Sequence, residues 1–383
     1  METTGTPRRK DLHPATFRNE LANLKFALLA YGARVSKEAN DAVAKSKMPL
    51  RTRSGVSGGL DIKLAESVDV NVPVNEAFVS NSPLIVTADE QMNLQVVDER
   101  TGTRNHVELL PIPNFYSLTT LSGEPMRRVA QMCSRDRICY GMTGPTCRFW
   151  RKDLRCQYCS IGKNYKDDGA RKKIDTLMEV LEVSLQGGST RPRHILVGGG
   201  TPNGDDMGSI LASEITKRIK KHFDLSVYVM IAAPLENSEI TRVYDAGADD
   251  LGMNLEFWSD EAWRRFIPGK NSLIGKTRYL QALEYAQSLF GPTRTRSILV
   301  AGVEGAHETL AGVRFLTQIG VLPILSPFRA LDGTLMADFS GFSAEQYFDL
   351  WAQAERIAAE AGAILGPDCL ACQNNTLALP LDT

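Results

Sequence analysis

The residues of this sequence best suited to chemistry are its cysteines. They stand at positions 133, 139, 147, 156, 159, 369 and 372, an odd number crowded into two patches, where a disulfide framework would spread an even number along the chain. In a reducing compartment such crowding points to metal or redox chemistry. Buried thiols acting as small hydrophobes account well for singletons, and poorly for two C-x-x-C pairs. Cys147, Cys156 and Cys159 are spaced C-x8-C-x2-C. Three thiolates can hold a [4Fe–4S] cube and leave its fourth iron open to an exogenous ligand. A zinc site would need a fourth donor, which Cys133 or Cys139 would have to supply. The late pair, Cys369 and Cys372, has three readings: a second metal or cluster site completed by Cys133 and Cys139, a redox or hydrogen-donor thiol pair with a catalytic role, or two inert cysteines in a tail.

Other groups at strand ends are candidates to surround these thiols. Gly198, Gly199 and Gly200, followed by Thr201, close an apolar run, and the missing side chains let a ligand approach the backbone. No lysine-bearing phosphate loop follows, which disfavours that reading. Asn254 and Glu256 alternate along DLGMNLEF, so period two puts both on one strand face; a solvated strand end is the plain alternative. Lys270 in PGK and Arg329 in SPFR follow strands, where substrate-facing loops belong, and two cations suit an anionic or carboxylated small molecule. A surface lysine and a structural arginine would look the same. Asn374 and Asn375 offer amides to a polar substrate beside the late cysteines.

The elements that must position these groups read as follows. Residues 14–45 have the texture of a helix, with Leu21, Leu24, Leu28 and Leu29 near helical period. From Arg51 to about residue 125 short runs such as VDVNVPV, SPLIVTA and LQVVDE form a small β-rich lead-in. After residue 126 strands and helices alternate, the pattern of a parallel sheet. Helices are expected near 175–187, along Met207 to Phe223, after a cap at Ser238, and over 272–290, 307–319 and 343–362. The strands are HILVGGG, LSVYVMIAA, DLGMNLEF, SILVAGV and VLPILS, with a weakly marked one before Cys147. This makes an α/β protein, a partial (β/α)6 TIM-type barrel with an N-terminal helix and β-rich lead-in, with a doubly wound sheet as the alternative. The expected divisions are 1–125 for the lead-in, 126–345 for the barrel and 346–383 for a final helix and a cysteine-bearing tail folded over the barrel mouth.

Charge narrows the partners. Lys and Arg number 44 against 45 Asp and Glu, a net charge of −1, which provides no field for nonspecific attraction to nucleic acid or anionic membrane. The N-terminus lacks the apolar core of a secretory signal, and no run approaches a membrane span, so a cytoplasmic protein is expected, with nucleic acid an unadvertised partner.

Tyr158 inside the second cysteine pair, with Val197-Gly198-Gly199-Gly200-Thr201-Pro202 one strand later, makes the sequence resemble the radical S-adenosylmethionine (SAM) superfamily. That superfamily usually spaces its cysteines C-x3-C-x2-C, so the eight-residue gap is a departure bearing on the loop more than on the chemistry. TCRFWRKDLRCQYCSIG, GMNLEFWSDEAWRRFIPGK and SILVAGVEG resemble a radical SAM subfamily whose genes accompany nitrilases and which shares the long gap. The similarity runs from about residue 50 to the end, and a more distant one is to biotin-synthase-like members. The resemblance implies a [4Fe–4S] cluster on Cys147, Cys156 and Cys159, with SAM on the open iron. It implies that Gly198, Gly199, Gly200 and Thr201 meet the SAM amino group and that Asn254 and Glu256 hold the ribose. Val300 and Val303 would lie against adenine and Tyr158 near its edge. The implied reaction is one-electron cleavage of SAM, fed by a donor such as flavodoxin or ferredoxin, to a 5′-deoxyadenosyl radical that abstracts hydrogen in a dry pocket. Two other readings stand beside it: transfer of the 3-amino-3-carboxypropyl group of SAM, and a non-catalytic zinc- or cluster-binding protein.

Overall fold

A computed structural model describes residues 14–45, 59–65, 68–151, 153–163 and 173–380; the first residues of the lead-in, from Arg51, fall outside them. The helix expected over 14–45 is two helices, α1 (Pro14–Tyr31) and α2 (Lys37–Lys45), parted by the short strand β1 (Arg34–Val35). Gly32 makes the break. Its φ is 63°, and a Cβ there would stand 2.5 Å from the Pro73 carbonyl, so glycine alone lets the chain turn so close to its neighbour. Ser36 then accepts the Ala39 N–H at 3.2 Å and starts α2.

The lead-in continues as β2 (Leu60–Ala65), β3 (Val68–Val72), β4 (Leu84–Ala88), β5 (Leu94–Asp98) and β6 (Thr103–Leu109). With β1 these form one sheet in the order β1-β4-β5-β6-β2-β3. The half-buried alternation of LIVTA and LQVVD suits a sheet with one wet face. Strand β3 differs, because all five of its residues are buried.

The short helix α3 (Met126–Val129) leads into a second sheet of β7 (Gln131–Cys133), β8 (Arg137–Gly141), β9 (His194–Gly198), β10 (Ser226–Met230), β11 (Asp250–Gly252), β12 (Thr295–Ala301) and β13 (Leu322–Pro327). The strands lie side by side in chain order; β8 to β13 are all parallel, and β7 is an antiparallel edge. Between them run α4 (Ile174–Ser184), α5 (Ser209–His222), α6 (Asn237–Asp245), α7 (Asp260–Phe266), α8 (Pro268–Leu273), α9 (Lys276–Phe290) and α10 (Ala306–Gln318), and α11 (Ala344–Glu360) follows β13. Parallel neighbours joined in sequence by right-handed crossovers carry every helix on one face, so the sheet rolls with its other face inward. The protein is therefore an open (β/α)6 barrel, and the doubly wound alternative, which needs a reversal of strand order, is excluded by the order observed. Ser238 does not cap α6 as expected: it lies within the helix, and Glu236 at the cap position makes no side-chain bond there.

Strand register sorts the two faces. Ile195, Val227, Val229, Leu251, Leu299 and Leu325 look outward to the helices, and Leu299 presses on Gly312 of α10. The inward face is polar at the strand starts, with Arg137, His194, Asp250 and Arg296. At the strand ends it opens into Gly141, Gly198, Met230 and Val300. Chemistry-bearing groups thus occupy two levels of one lumen.

The N-terminal helix is tied to this barrel. Arg18 pairs with Glu355 of α11 through two bonds of 2.7 and 2.8 Å, and Phe26 meets the Trp351 ring edge-on at 5.5 Å. Lys25, wholly buried, donates to the carbonyls of Gln373 and Ala378 at 2.7 and 2.6 Å. Burial pulls its ammonium down to about 7, with Asp69 working weakly the other way. Between that value and the ordinary lysine value the unfolded chain binds the extra proton, so stability rises with pH across the window. We expect the stability of the protein, measured relative to Lys25→Met, to climb by up to about 1.4 kcal/mol per pH unit above neutrality. Melting curves at several pH values check this, and a flat difference would show that Lys25 is not desolvated. Among the described residues no helix is long and apolar enough to cross a membrane.

Candidate active site at the strand ends

Cys147 lies six residues beyond the end of β8, and the glycine run closes β9 beside it. The two segments are fitted to each other. A Cβ on Gly200 would stand 2.0 Å from the Thr146 carbonyl and 2.8 Å from Cβ of Cys147, and Gly199 has φ 126°. The Thr201 N–H points at Cys147 Sγ at 3.3 Å, and the Arg148 N–H donates to the Thr201 carbonyl at 2.7 Å. Gly200 therefore makes room for the cysteine loop itself. Gly200→Ala is expected to displace Cys147, since its obstacle is backbone and cannot rotate away. Iron content after anaerobic reconstitution should fall severalfold while the protein stays folded, and unchanged iron would show that the loop yields.

The eight residues between Cys147 and Cys156 have a structural use. The Leu154 carbonyl accepts the Gly269 N–H at 3.0 Å, and a Cβ on Gly269 would meet that carbonyl at 2.3 Å. Gln157 donates its N–H to the Phe266 carbonyl at 2.8 Å and accepts from Leu335 at 3.0 Å. Trp150 fills the space where Gly162 lacks a side chain. The long gap is thus a loop docked on the turn between α7 and α8, which brings Cys156 and Cys159 toward the same mouth as Cys147.

On the far side of the thiols stands a charged pair. Strand β11 ends at Gly252, so Asn254 and Glu256 are not on one regular strand face as period two suggests. Glu256 has φ 68°, an uncommon conformation for a residue with a side chain, and its backbone bridges to β12 through Ile298 and Val300. Its carboxylate accepts from Lys270 Nζ at 2.7 Å; both side chains are buried. The Asn254 carbonyl accepts from the same ammonium at 3.3 Å, while the Asn254 amide faces Met230 Sδ and the Ile298 N–H. Burial works against the Lys270 charge, but Glu256, Tyr279 and Cys156 outweigh it and hold the ammonium above its ordinary value. Tyr158, half-buried, sets its ring edge-on to Phe257 at 5.8 Å, and burial followed by the Glu256 charge raises its hydroxyl well above the usual range. Burial likewise raises the Cys156 thiol, and pushes Cys159 up to about 11. Thiols this hard to ionise alone become thiolates on a metal cation.

The remaining candidates fall in different places. Val300 is buried at the inner end of β12, and Val303 is half-buried just beyond it. Lys270 is committed to Glu256. Arg329 donates to the side-chain and backbone oxygens of Asn71 at 3.1 and 2.9 Å, and burial brings its guanidinium down to about 10. The Asn71 N–H in turn meets the Asn374 carbonyl at 2.8 Å. The Asn374 amide is fully buried, and neither its oxygen nor its nitrogen has a partner; Asn375 beside it is half-buried.

The tail does not fold over the mouth. Gly366 and Leu377 donate to the β13 carbonyls of Pro323 and Leu325, and with the two Lys25 bonds these draw the chain along the sheet edge. The helical turn α12 (Leu370–Gln373) then sets Cys369 and Cys372 against His194, the first residue of β9. That is the strand-start end of the lumen. Cys133 and Cys139 face each other at 2.9 Å on β7 and β8. His194 is the group that sequence reasoning missed, since a lone histidine opening an apolar strand carries no metal-ligand spacing.

No protein-family model matches the chain, and no curated protein does. Solved structures do match it at low identity. One is methylornithine synthase (PylB), 14% identical, covering 67% of this chain and 82% of that one, with a TM-score of 0.44. Another is HydG, a maturase of the [FeFe]-hydrogenase, 14% identical, covering 62% and 52%, with a TM-score of 0.47. A third is the radical S-adenosylmethionine methyltransferase TsrM from Kitasatospora setae, 13% identical, covering 48% and 36%, with a TM-score of 0.34. No reaction follows from likeness at this level.

Proposed function

We propose that this protein is a radical SAM enzyme, in which Cys147, Cys156 and Cys159 hold a [4Fe–4S] cluster and SAM completes the open iron. The observation that carries the reading is the convergence of three thiol-bearing positions at the C-terminal mouth of an open barrel, clasped between the Gly198–Thr201 turn and the Phe266–Lys270 turn. Ligands in parallel α/β folds belong at that end of the strands. When bound, the cluster would supply the electron, from reduced flavodoxin or ferredoxin, that cleaves SAM to a 5′-deoxyadenosyl radical.

The chain's own residues supply the rest. Glu256 is buried beside the cysteines and positioned to accept from ribose hydroxyls, with Lys270 Nζ bonded to its carboxylate at 2.7 Å. Val300 and Tyr158 give apolar surface for adenine, and the missing side chains of Gly198 to Gly200 let the amino group approach a turn whose Gly198, Gly200 and Thr201 carbonyls already accept from Met142, Thr143 and Arg148. The docked 148–155 loop closes one side of the mouth against water. The substrate is a small anionic or carboxylated molecule. Lys270, beside Cys156 and paired with Glu256, is a cation at the mouth, while Arg329 is bonded to Asn71.

Iron and sulfide counting on the Cys369→Ala/Cys372→Ala variant after anaerobic reconstitution tests the cluster. Four of each per chain, with an electron paramagnetic resonance signal perturbed by SAM, is the expected result. Zinc at one per chain with no iron in that variant would contradict it.

A further inference from the structure

Among the described residues one set of three possible metal ligands has its donor atoms all within 4.8 Å of one another, and it is not the Cys147 triplet. It is His194, Cys369 and Cys372. We infer that these three hold a single soft divalent ion of the zinc class at the strand-start end of the barrel, separate from the cluster at the mouth.

The distances fit one ion. A tetrahedral centre with sulfur at about 2.3 Å and nitrogen at about 2.0–2.1 Å places neighbouring sulfur and nitrogen roughly 3.5 Å apart. His194 Nε2 stands 3.3 Å from Cys372 Sγ and 3.7 Å from Cys369 Sγ. Thiolates of an iron–sulfur cube each bind a different iron and stand further apart. The pair sits at the two ends of one helical turn, Cys369 at its N-cap and Cys372 inside it, with the Cys372 N–H bonded to the Cys369 carbonyl at 3.0 Å. This turns both side chains to one side.

A second observation lies beside the donors. Arg137, 4% exposed, pairs in register with His194 across β8 and β9 and lies near all four of Cys133, Cys139, Cys369 and Cys372. Its Nε and Nη2 have no hydrogen-bond partner. Buried guanidinium N–H groups left unpaired are costly, and metal-bound thiolates are acceptors that would satisfy them, the usual support that surrounds a metal site. Position also disfavours the thiol-donor role. His194 and Gly198 are four residues apart on β9, about 13 Å at strand rise, so the pair stands well below the mouth where the cluster cysteines lie. The ion would instead fasten the tail to β9, as Lys25 fastens it to α1.

Zinc alone is the probe. The full chain with Cys147, Cys156 and Cys159 replaced by alanine keeps this site and loses the other. Stripped of metal and titrated with Zn²⁺ against a chromophoric chelator, it should bind one ion per chain, with a zinc-edge absorption spectrum of mixed sulfur and nitrogen ligands at about 2.3 and 2.0–2.1 Å. Cys372→Ala and His194→Ala in that background should weaken binding by at least about a hundredfold. His194→Cys should restore it with an all-sulfur shell, which guards against loss by misfolding. Equal affinity in all variants or no stoichiometric zinc would overturn the inference. None of these outcomes depends on whether the mouth cleaves SAM.

Discussion

Cys147→Ala, Cys156→Ala and Cys159→Ala should each abolish SAM cleavage, with activity falling below detection and the fold retained. Each thiolate is one of three protein ligands to the proposed cluster, so losing one leaves the ligand set incomplete. Structure around the cysteines predicts the retained fold. The loop is anchored by backbone bonds from Arg148, Gln157 and Gly269, and Cys147, Cys156 and Cys159 are residues of intermediate burial outside the fully buried core. Iron content, circular dichroism and SAM turnover measured on the same preparations check this. Full iron and activity in Cys147→Ala would assign the third ligand elsewhere.

Glu256→Ala should produce two separable effects. Removing the carboxylate leaves Lys270 buried and unpaired, which typically costs about 3–5 kcal/mol of stability. It also removes the proposed ribose acceptor, worth on the order of 1.5–3 kcal/mol, or one to two decades in SAM affinity. The double variant Glu256→Leu/Lys270→Met separates the two. Its melting temperature should return toward that of the parent while its SAM affinity stays low, with iron content as the control. Parental SAM affinity in the double variant would place the ribose away from Glu256.

The fold could be read from sequence where local pattern and tertiary role agree. The outward strand residues are apolar and the helices between them amphipathic, so β9, β10, β12 and β13 stand close to their expected positions, while β11 stops at Gly252 and the helix Asp260–Phe266 was not expected. The strand β8 was weakly marked because its inward residues, Arg137 and Cys139, belong to a polar lumen and interrupt the apolar run. The break in the first helix had a signal, Gly32 followed by Ser36, that the leucine period overrode. The grouping of Cys147, Cys156 and Cys159 was legible because the three are close in sequence. The pairing of Glu256 with Lys270 was not, since only the α7–α8 turn brings them together. His194, Cys369 and Cys372 come from ends of the chain that no local pattern connects, so the level at which the tail crosses the lumen appears only in three dimensions.

The central claim is that the mouth of thiols cleaves SAM reductively. Its most direct test is an anaerobic incubation of reconstituted, reduced protein with SAM, followed by analysis of the adenosine products, beside the Cys147→Ala/Cys156→Ala/Cys159→Ala variant. The account predicts 5′-deoxyadenosine from the parent protein and none from the variant. 5′-Methylthioadenosine in its place would assign the reaction to 3-amino-3-carboxypropyl transfer, and intact SAM with a full, reducible cluster would contradict the account.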